Sequence, residues 1–589
     1  MSEDFNPEQK RWLEGFLSGA AAVQAARKGG AAAPVAVSAA PTGPDSPGIL
    51  AQDRVTEQGG KLVDQEKWKR SENPLDAYFR LKNEALAGAA PKPDDNFRWR
   101  YHGLFYVAPA QAGYMCRMRL PNGILTHWQL EAVADVAEKL AGGYAHVTTR
   151  ANLQLREIKP ENGAAALEAL LRAGIVSKGS GADNIRNVTG SATAGIDPQE
   201  LLDTRPAAND WHNHILNTRT LYGLPRKFNV AFDGGGRVAT LEDTNDIGFQ
   251  AVELATGSGL GAGLYWRLAL GGITGHKDLA RDTGVVLPLA ESTAVADAIV
   301  RVFIDHGDRT NRNKARLKYV LDAMGFEKFL GLVEEKLGRK LARVDAVFVK
   351  ARPPVDRLAH IGVHKQKQNG LNWIGVWTPL GKMLPEQMRA LTRAARECGD
   401  GDIRLTVWQN LLISGVPDDK INAARALIET AGLKIEVSNV RAGLVACTGN
   451  KGCKFAASDT KGHALEIADH LDARLTLDKA VNIHLTGCHH SCAQHYIGDI
   501  GLIAAKVAVP GSEDEVEGYH LHAGGGYAEH GSIARLILPD ITAKDAPARI
   551  ESLLRAYVNH RADPSESFHA FAARHEVDAL RKFAEEVAA

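Results

Sequence analysis

Ala446-Cys447-Thr448-Gly449-Asn450-Lys451-Gly452-Cys453 and Thr486-Gly487-Cys488-His489-His490-Ser491-Cys492 are the two stretches from which the rest of the chain is read. Five residues separate the first pair of cysteines and three the second. They are four of only six cysteines in 589 residues, and they fall within one 46-residue window. Two closely spaced thiolate pairs joined by a longer loop are how a protein holds a cubane 4Fe–4S cluster. Three readings compete. Zinc takes pairs with shorter gaps than the first one here. Disulfides need an oxidising compartment, and no export signal speaks for one. Four unrelated buried thiols would seldom gather so tightly.

Around this window the chain is long enough for about three or four domains. Lys plus Arg and Asp plus Glu each total 70, so the formal net charge is zero. That balance argues against a nucleic-acid or membrane-surface protein, whose basic residues tip the count. No apolar run is long enough to span a bilayer. The acidic, polar start lacks a secretory pattern, and the few cysteines suit the reducing cytoplasm. Asn6-Pro7-Glu8-Gln9 reads as a helix start, and Trp12, Leu13, Phe16, Leu17, Ala20 and Val23 continue it at helical spacing. An amphipathic helix is therefore expected over 1–26. A flexible linker rich in Ala, Gly, Pro and Ser is expected over 27–70.

Residues 119–174 match residues 377–432 without a gap, at a constant offset of 258. Pro121, Gly123, Gln129, Thr148, Asn152, Leu153, Ala173 and Gly174 recur as Pro379, Gly381, Gln387, Thr406, Asn410, Leu411, Ala431 and Gly432. Each copy reads strand, Pro-x-Gly turn, helix, strand, helix. The copies are expected to pair into one pseudo-symmetric domain. The segments that follow them are expected to be related too, with Asn184-Ile185-Arg186 echoed in Asn439-Val440-Arg441. The cysteine pairs stand in the second half alone.

The cysteine spacing, with Gly487 before the third cysteine, resembles the signature of the sirohaem-dependent nitrite and sulfite reductases. Asn73-Pro-Leu-Asp, the run Asp94 to Gln111 and Glu566-Ser-Phe-His-Ala-Phe-Ala-Ala-Arg574 extend the likeness to roughly residues 70–580, nearest the ferredoxin-dependent assimilatory nitrite-reducing branch. The resemblance implies an α+β (mixed α/β) fold: a pseudo-two-fold, three-domain catalytic body behind an N-terminal helical extension. Its parts would be a wrapping segment over 71–100, ferredoxin-like half-domains over 101–174 and 355–432, and sirohaem domains over 175–345 and 433–589. It also implies that Cys447, Cys453, Cys488 and Cys492 bind a 4Fe–4S cluster, with Cys492 axial to a sirohaem iron.

An anionic substrate reduced at an iron needs fixed positive charge. Arg117, Arg186 and Lys227 stand in segments similar to the family's active-site motifs, and by that resemblance line the distal face of the sirohaem. Asn229, where sulfite-reducing members commonly carry a second lysine, lowers the pocket's charge and suits monoanionic nitrite. Thr148 to Arg156 resembles a sirohaem-binding strand, in which Arg150, Asn152 and Gln154 share one face. Asn450 and Lys451 are expected to donate to cluster sulfur or sirohaem carboxylates. Gly518 to Gly526 resembles the family's glycine-rich loop beside sirohaem. The expected function is six-electron reduction of nitrite to ammonia, with electrons from ferredoxin or a separate flavoprotein. Sulfite reduction is the alternative within the family. A non-catalytic metal-binding or electron-transfer protein on the same scaffold is the alternative outside it.

Overall fold

The computed structural model describes residues 41–509, 511 and 514–586. The helix expected over 1–26 and the first part of the expected linker lie outside the described residues. Beyond them the linker reading is corrected: helix Ser46–Glu57 and all but the last residue of helix Asp64–Ser71 stand inside 27–70. The Pro- and Gly-rich bias ends near Gly48, and the chain beyond carries its own anchors. Gln52 and Glu66 are buried, and Gln52 Nε2 donates to Glu66 Oε2 at 2.9 Å. Arg309 Nη1 donates to the same carboxylate at 2.7 Å. A buried carboxylate must be satisfied in this way, so these helices are fastened to the body.

Four five-stranded sheets carry that body. The first half opens with β1 (Leu104–Val107), β2 (Gly113–Arg117), β3 (Ile124–Thr126), β4 (Ala145–Val147) and β5 (Leu153–Ile158). It continues with β6 (Ile185–Gly190), β7 (Phe228–Asp233), β8 (Ile247–Leu254), β9 (Gly263–Leu270) and β10 (Arg281–Leu287). The second half repeats the series as β11 (Gly362–Lys365), β12 (Leu371–Val376), β13 (Lys382–Met383), β14 (Asp402–Leu405) and β15 (Leu411–Pro417). It ends with β16 (Leu444–Ala446), β17 (Ile483–Thr486), β18 (Ile500–Ala508), β19 (Glu515–Ala523) and β20 (Arg535–Thr542).

The internal repeat survives in detail. Helices His127–Leu140 and Gly163–Arg172 recur as Pro385–Cys398 and Ile421–Thr430, each displaced by the same 258 residues. The shared glutamines explain themselves. Gln129 Oε1 accepts from Thr126 N at 3.0 Å and Gln387 Oε1 from Leu384 N at 2.9 Å, each satisfying an amide at a helix start. Their Nε2 atoms donate to Ala173 O and Ala431 O, both at 3.3 Å, tying one helix to the end of the next. The Pro-x-Gly turns also match, with left-handed φ of 59° at Asn122 and 50° at Leu380. After each turn the short strand leaves its own copy: β3 pairs with β14 and β13 with β4, both antiparallel. The two copies therefore share one core, in which Val133 and Leu391 belong to the same buried cluster.

The segments after the copies are a second repeat. In each, three parallel strands are followed by two antiparallel ones, in sequence order: β6 to β10 and β16 to β20. The Asn-x-Arg echo does not mark this equivalence. Arg186 lies in β6, whereas Asn439–Ala442 is a short helix before β16, and Arg441 pairs with Asp472 at 2.7 Å. The two sheets carry separate cores, around Phe228, Phe232, Phe249 and Trp266 in one and Ile483, Leu485, Leu502 and Tyr519 in the other. Each such side chain contributes about 1.5–3 kcal/mol by leaving water. Among the described residues no helix is long and apolar enough to cross a membrane.

Candidate active site

Parallel sheets present their chemistry in the loops after the carboxyl ends of the strands, and the thiols sit there. Cys447 follows β16 directly; Cys488 follows β17 after Gly487. Gly487 N donates to Cys447 Sγ at 3.1 Å. A side chain at 487 would have its Cβ 2.5 Å from Ala456 Cβ, so glycine is what lets the two cysteine loops close on each other. Burial pushes the Cys488 thiol up to about 12, and the neighbouring Cys492, Cys453 and Cys447 add to it. The Cys492 thiol is raised by burial and then by Cys447, while Lys227 and Arg117 act the other way. All four sulfurs thus lie within electrostatic reach of one another. Among the described residues no three His, Cys, Asp or Glu side chains converge as ligands of a single ion.

Cys492 is exposed by surface area, yet protein surrounds it closely enough to desolvate it. Two of the predicted cations, Lys227 and Arg117, stand within electrostatic reach of it. Arg117 closes β2; its guanidinium lies 4.6 Å from the Phe105 ring, and its buried Nε has no partner. Burial lowers it to about 10, and the largest influence restoring its charge is Cys492. Arg186, in β6, spends Nη1 on Ser180 O at 3.0 Å and Nη2 on Ala182 O at 2.6 Å, leaving its Nε buried and free. Lys227 immediately precedes β7 and makes no hydrogen bond or ion pair among the described residues; burial, then Arg316 and Arg186, depress it well below the usual lysine range. Asn229, two positions on, is buried, and its N–H donates to Asp246 Oδ2 at 2.8 Å. Arg316 holds the same oxygen at 2.7 Å and so fixes the start of β7.

Sequence reasoning named Arg117, and the structure shows that its neighbour Arg119 is unavailable. Its guanidinium is consumed by the carbonyls of Lys178, Gly179, Ile185 and Arg186. It missed Arg100 and Arg226, which carry buried, unpartnered Nε atoms and surround Asp183 together with Arg312. No spacing rule marks them, because they meet only through the buried Asp183. It also missed Arg156 at the end of β5, which donates to Gly452 O at 2.9 Å and Thr448 Oγ1 at 2.8 Å and so braces the first cysteine loop. The alternation that singled out residues 152 and 154 would have reached 156 as well.

The structure gives four of the cofactor-binding candidates partners within the protein. Arg150 lies in the turn before β5, and its guanidinium holds Thr244 Oγ1 at 2.9 Å and Asn245 Oδ1 at 2.7 Å. The Asn152 amide donates to Met118 O at 2.7 Å and accepts from Leu153 N at 2.8 Å. Asn450 turns away to Glu517 Oε1 at 2.6 Å, and the exposed Lys451 pairs with Asp459 at 2.5 Å. In each case a nearer carboxylate or carbonyl wins the donor. Gln154 Oε1 accepts from Arg156 Nη2 at 3.3 Å. In the loop Gly518 to Gly526 a Cβ on Gly525 would meet Gly498 O at 2.4 Å, so glycine is needed there for packing as well. His490 reaches the cluster loop, with Nδ1 3.3 Å from Cys488 Sγ.

These residues fit the groups the sequence implies. The four thiols stand on the loops after two neighbouring strands, and Arg117 and Lys227 make no ion pair with a carboxylate among the described residues. Buried unpaired cations are costly, so this group of cations suits an anionic occupant. The description "Nitrite and sulphite reductase 4Fe-4S domain" matches residues 181–341 and 436–588. "Nitrite/Sulfite reductase ferredoxin-like half domain" matches 107–173 and 364–431. The ferredoxin–nitrite reductase of Synechococcus elongatus is 34% identical over 84% of this chain and 96% of its own. The chloroplastic ferredoxin–nitrite reductase of Zea mays is 32% identical over 87% and 94%. The sulfite reductase [ferredoxin] 1 of Mycolicibacterium paratuberculosis is 30% identical over 88% and 96%. The structure of Mycobacterium tuberculosis NirA superposes with a TM-score of 0.81 at 28% identity, covering 90% of this chain and 99% of that one.

Proposed function

The chain belongs to the nitrite and sulphite reductase family, and from that premise we propose that it is a ferredoxin-dependent nitrite reductase making ammonia with a sirohaem and a 4Fe–4S cluster. The observation that carries the reading is that Arg117, at the end of β2, and Lys227, before β7 and without a hydrogen bond or ion pair among the described residues, lie within electrostatic reach of Cys492. Cys447, Cys453, Cys488 and Cys492 would hold the cluster, and Arg100, Arg117, Arg186, Arg226 and Lys227 would face sirohaem carboxylates and substrate. Bound together, the two groups supply one-electron storage and a site where nitrite can be reduced by six electrons.

The chain's own residues do the rest. Reduction to ammonia and two waters also consumes seven protons, so the pocket must bind an anion and feed it hydrogen. Arginine keeps its charge even at the lowered value of Arg117, and so binds and polarises without giving up its proton. Lys227 is different: burial beside Arg316 and Arg186 makes its ammonium the readier acid. Arg117 and Arg186 therefore orient the oxyanion, and Lys227 holds the proton to be delivered at Nζ. Lys227 and Asn229 are two apart at the start of β7. An amide at 229 gives the monoanion a hydrogen bond without a second ammonium, which a dianionic sulfite would favour. Reduced ferredoxin is the donor after which the nitrite-reducing relatives are named. A reducing compartment, the cytoplasm, keeps the cluster thiols available.

Steady-state reduction of nitrite and sulfite by the purified holoprotein, with reduced methyl viologen as donor, tests this. A higher kcat/KM for nitrite is expected. The Mycolicibacterium relative keeps sulfite in the assay as the competing substrate; a preference for it would overturn the Asn229 argument. Turnover of neither would overturn the enzyme reading.

A further inference from the structure

Lys461 is half-buried, closely surrounded by protein, and forms no salt bridge with a carboxylate among the described residues. It lies in the first turn of the helix Thr460–Asp472, and its Nζ donates to Leu380 O. Asp459, the acid beside it in sequence, is spent on Lys451 at 2.5 Å and on Gly462 N at 3.2 Å. A helix N-terminus is the positive end of the macrodipole and repels a cation. Burial draws Lys461 down to about 7, and Arg156 and Lys382 press the same way. The largest influence keeping it charged is Cys447. Thr460, its neighbour, donates to Cys447 O at 2.9 Å, which fixes this turn of helix against the first cluster thiol. On the other side Arg156 braces the same loop through Gly452 O and Thr448 Oγ1. Two cations thus flank one cysteine loop from β5 and from the helix, and neither forms a salt bridge; Asp459, which also favours the charged Lys461, is paired with Lys451. A thiolate-bound cluster carries net negative charge, and that charge answers both.

We propose that Lys461, seconded by Arg156, is the counter-ion of the 4Fe–4S cluster and holds its reduction potential up. The inference rests on the cluster reading given above. When the external one-electron donor reduces the cluster, one negative charge is added on the cluster, and a nearby fixed positive charge favours the reduced form. Lys461 acts through the cluster and touches neither substrate nor macrocycle, so it is a positioning residue.

The test is the cluster potential of the holoprotein, read by titration with electron-paramagnetic-resonance detection, in the wild type, Lys461→Met, Lys461→Gln and Lys461→Arg. Iron content and the visible spectrum are measured on each. Met and Gln are both expected to shift the potential to more negative values, whereas Arg keeps it near that of the wild type. Gln can still donate to Leu380 O, so a shift shared by Met and Gln reports lost charge, not a lost hydrogen bond. An unshifted potential in Met or Gln protein with full iron content would overturn the proposal. If Met disrupts cluster assembly, the Gln variant decides alone. A wild type without any cluster signal would overturn the cluster reading, and this inference with it.

Discussion

The β6–β10 and β16–β20 sheets have one topology and opposite contents. In the second, the loops after the first two strands carry Cys447, Cys453, Cys488 and Cys492. In the first, the loop after β6 begins Ser191-Ala192-Thr193 and the loop after β7 reads Gly234-Gly235-Gly236. The two packing arrangements answer each other. The β9–β10 connection rests on the cysteine loop, where a Cβ on Gly275 would lie 3.1 Å from His490 O. The β19–β20 connection brings Ala528 and Glu529 to a cavity of about 510 Å³ beside Asp233, Gly235 and Gly236. That cavity is the pseudo-symmetric counterpart of the thiol site, and it is lined by Glu242, Asp233 and Arg352 instead. The scaffold therefore fixes where a site can be and leaves its chemistry to loop residues. The halves also divide the labour: the second supplies thiols, and the first supplies Arg186, Lys227 and Asn229 from β6 and the start of β7.

The sharpest way to break this contrast is to remove a thiol. Cys492→Ser is expected to lose cluster iron, visible colour and viologen-driven turnover, while Glu529→Gln in the counterpart cavity keeps all three. Iron analysis and the spectrum decide. Next in size are the cations lent by the first half. Arg117→Ala and Lys227→Met should each lower kcat/KM for nitrite about 10²–10³-fold with both cofactors retained, and full activity in either would break the assignment. A smaller effect is expected from Asn229→Lys, which should move the nitrite-to-sulfite ratio of kcat/KM about tenfold towards sulfite, as one favourable charge contact would.

The smallest effect belongs to the counterpart cavity and concerns stability. Burial, followed by Asp233 and Asp243, raises the Glu242 carboxyl to about 8 from 4.5. The folded protein then keeps a proton that the unfolded chain has lost, so stability falls as pH rises from about 4.5 to about 8. Glu242→Gln should therefore raise Tm more at pH 8 than at pH 5. Equal shifts at both pH values would show that Glu242 is not held protonated.

The sequence was most legible where chemistry depends on neighbours in the chain. The two cysteine pairs, the 258-residue offset and the cations of three short motifs were all local. The turn at Asn122 and the helix start at Gln129 could be read twice, because each had a partner copy. What the sequence could not show is which partner a side chain finds. Asn450 and Lys451 sit between cysteines of the first pair and bond Glu517 and Asp459, and Glu517 comes from a strand more than sixty residues on. Residues 46–70 looked like linker because their anchor, Arg309, is remote in sequence.

By itself the sequence determined the duplication, the thiol quartet and the cationic motifs, since periodicity and ligand spacing are properties of the chain. Tertiary structure alone decided the exchange of β3 and β13, the commitment of Arg119 and Arg150 to the protein's own acceptors, and the recruitment of Arg100, Arg156, Arg226 and Lys461. A donor's partner and a cation's cost of burial depend on what is brought within a few ångströms, and strands distant in sequence settle that.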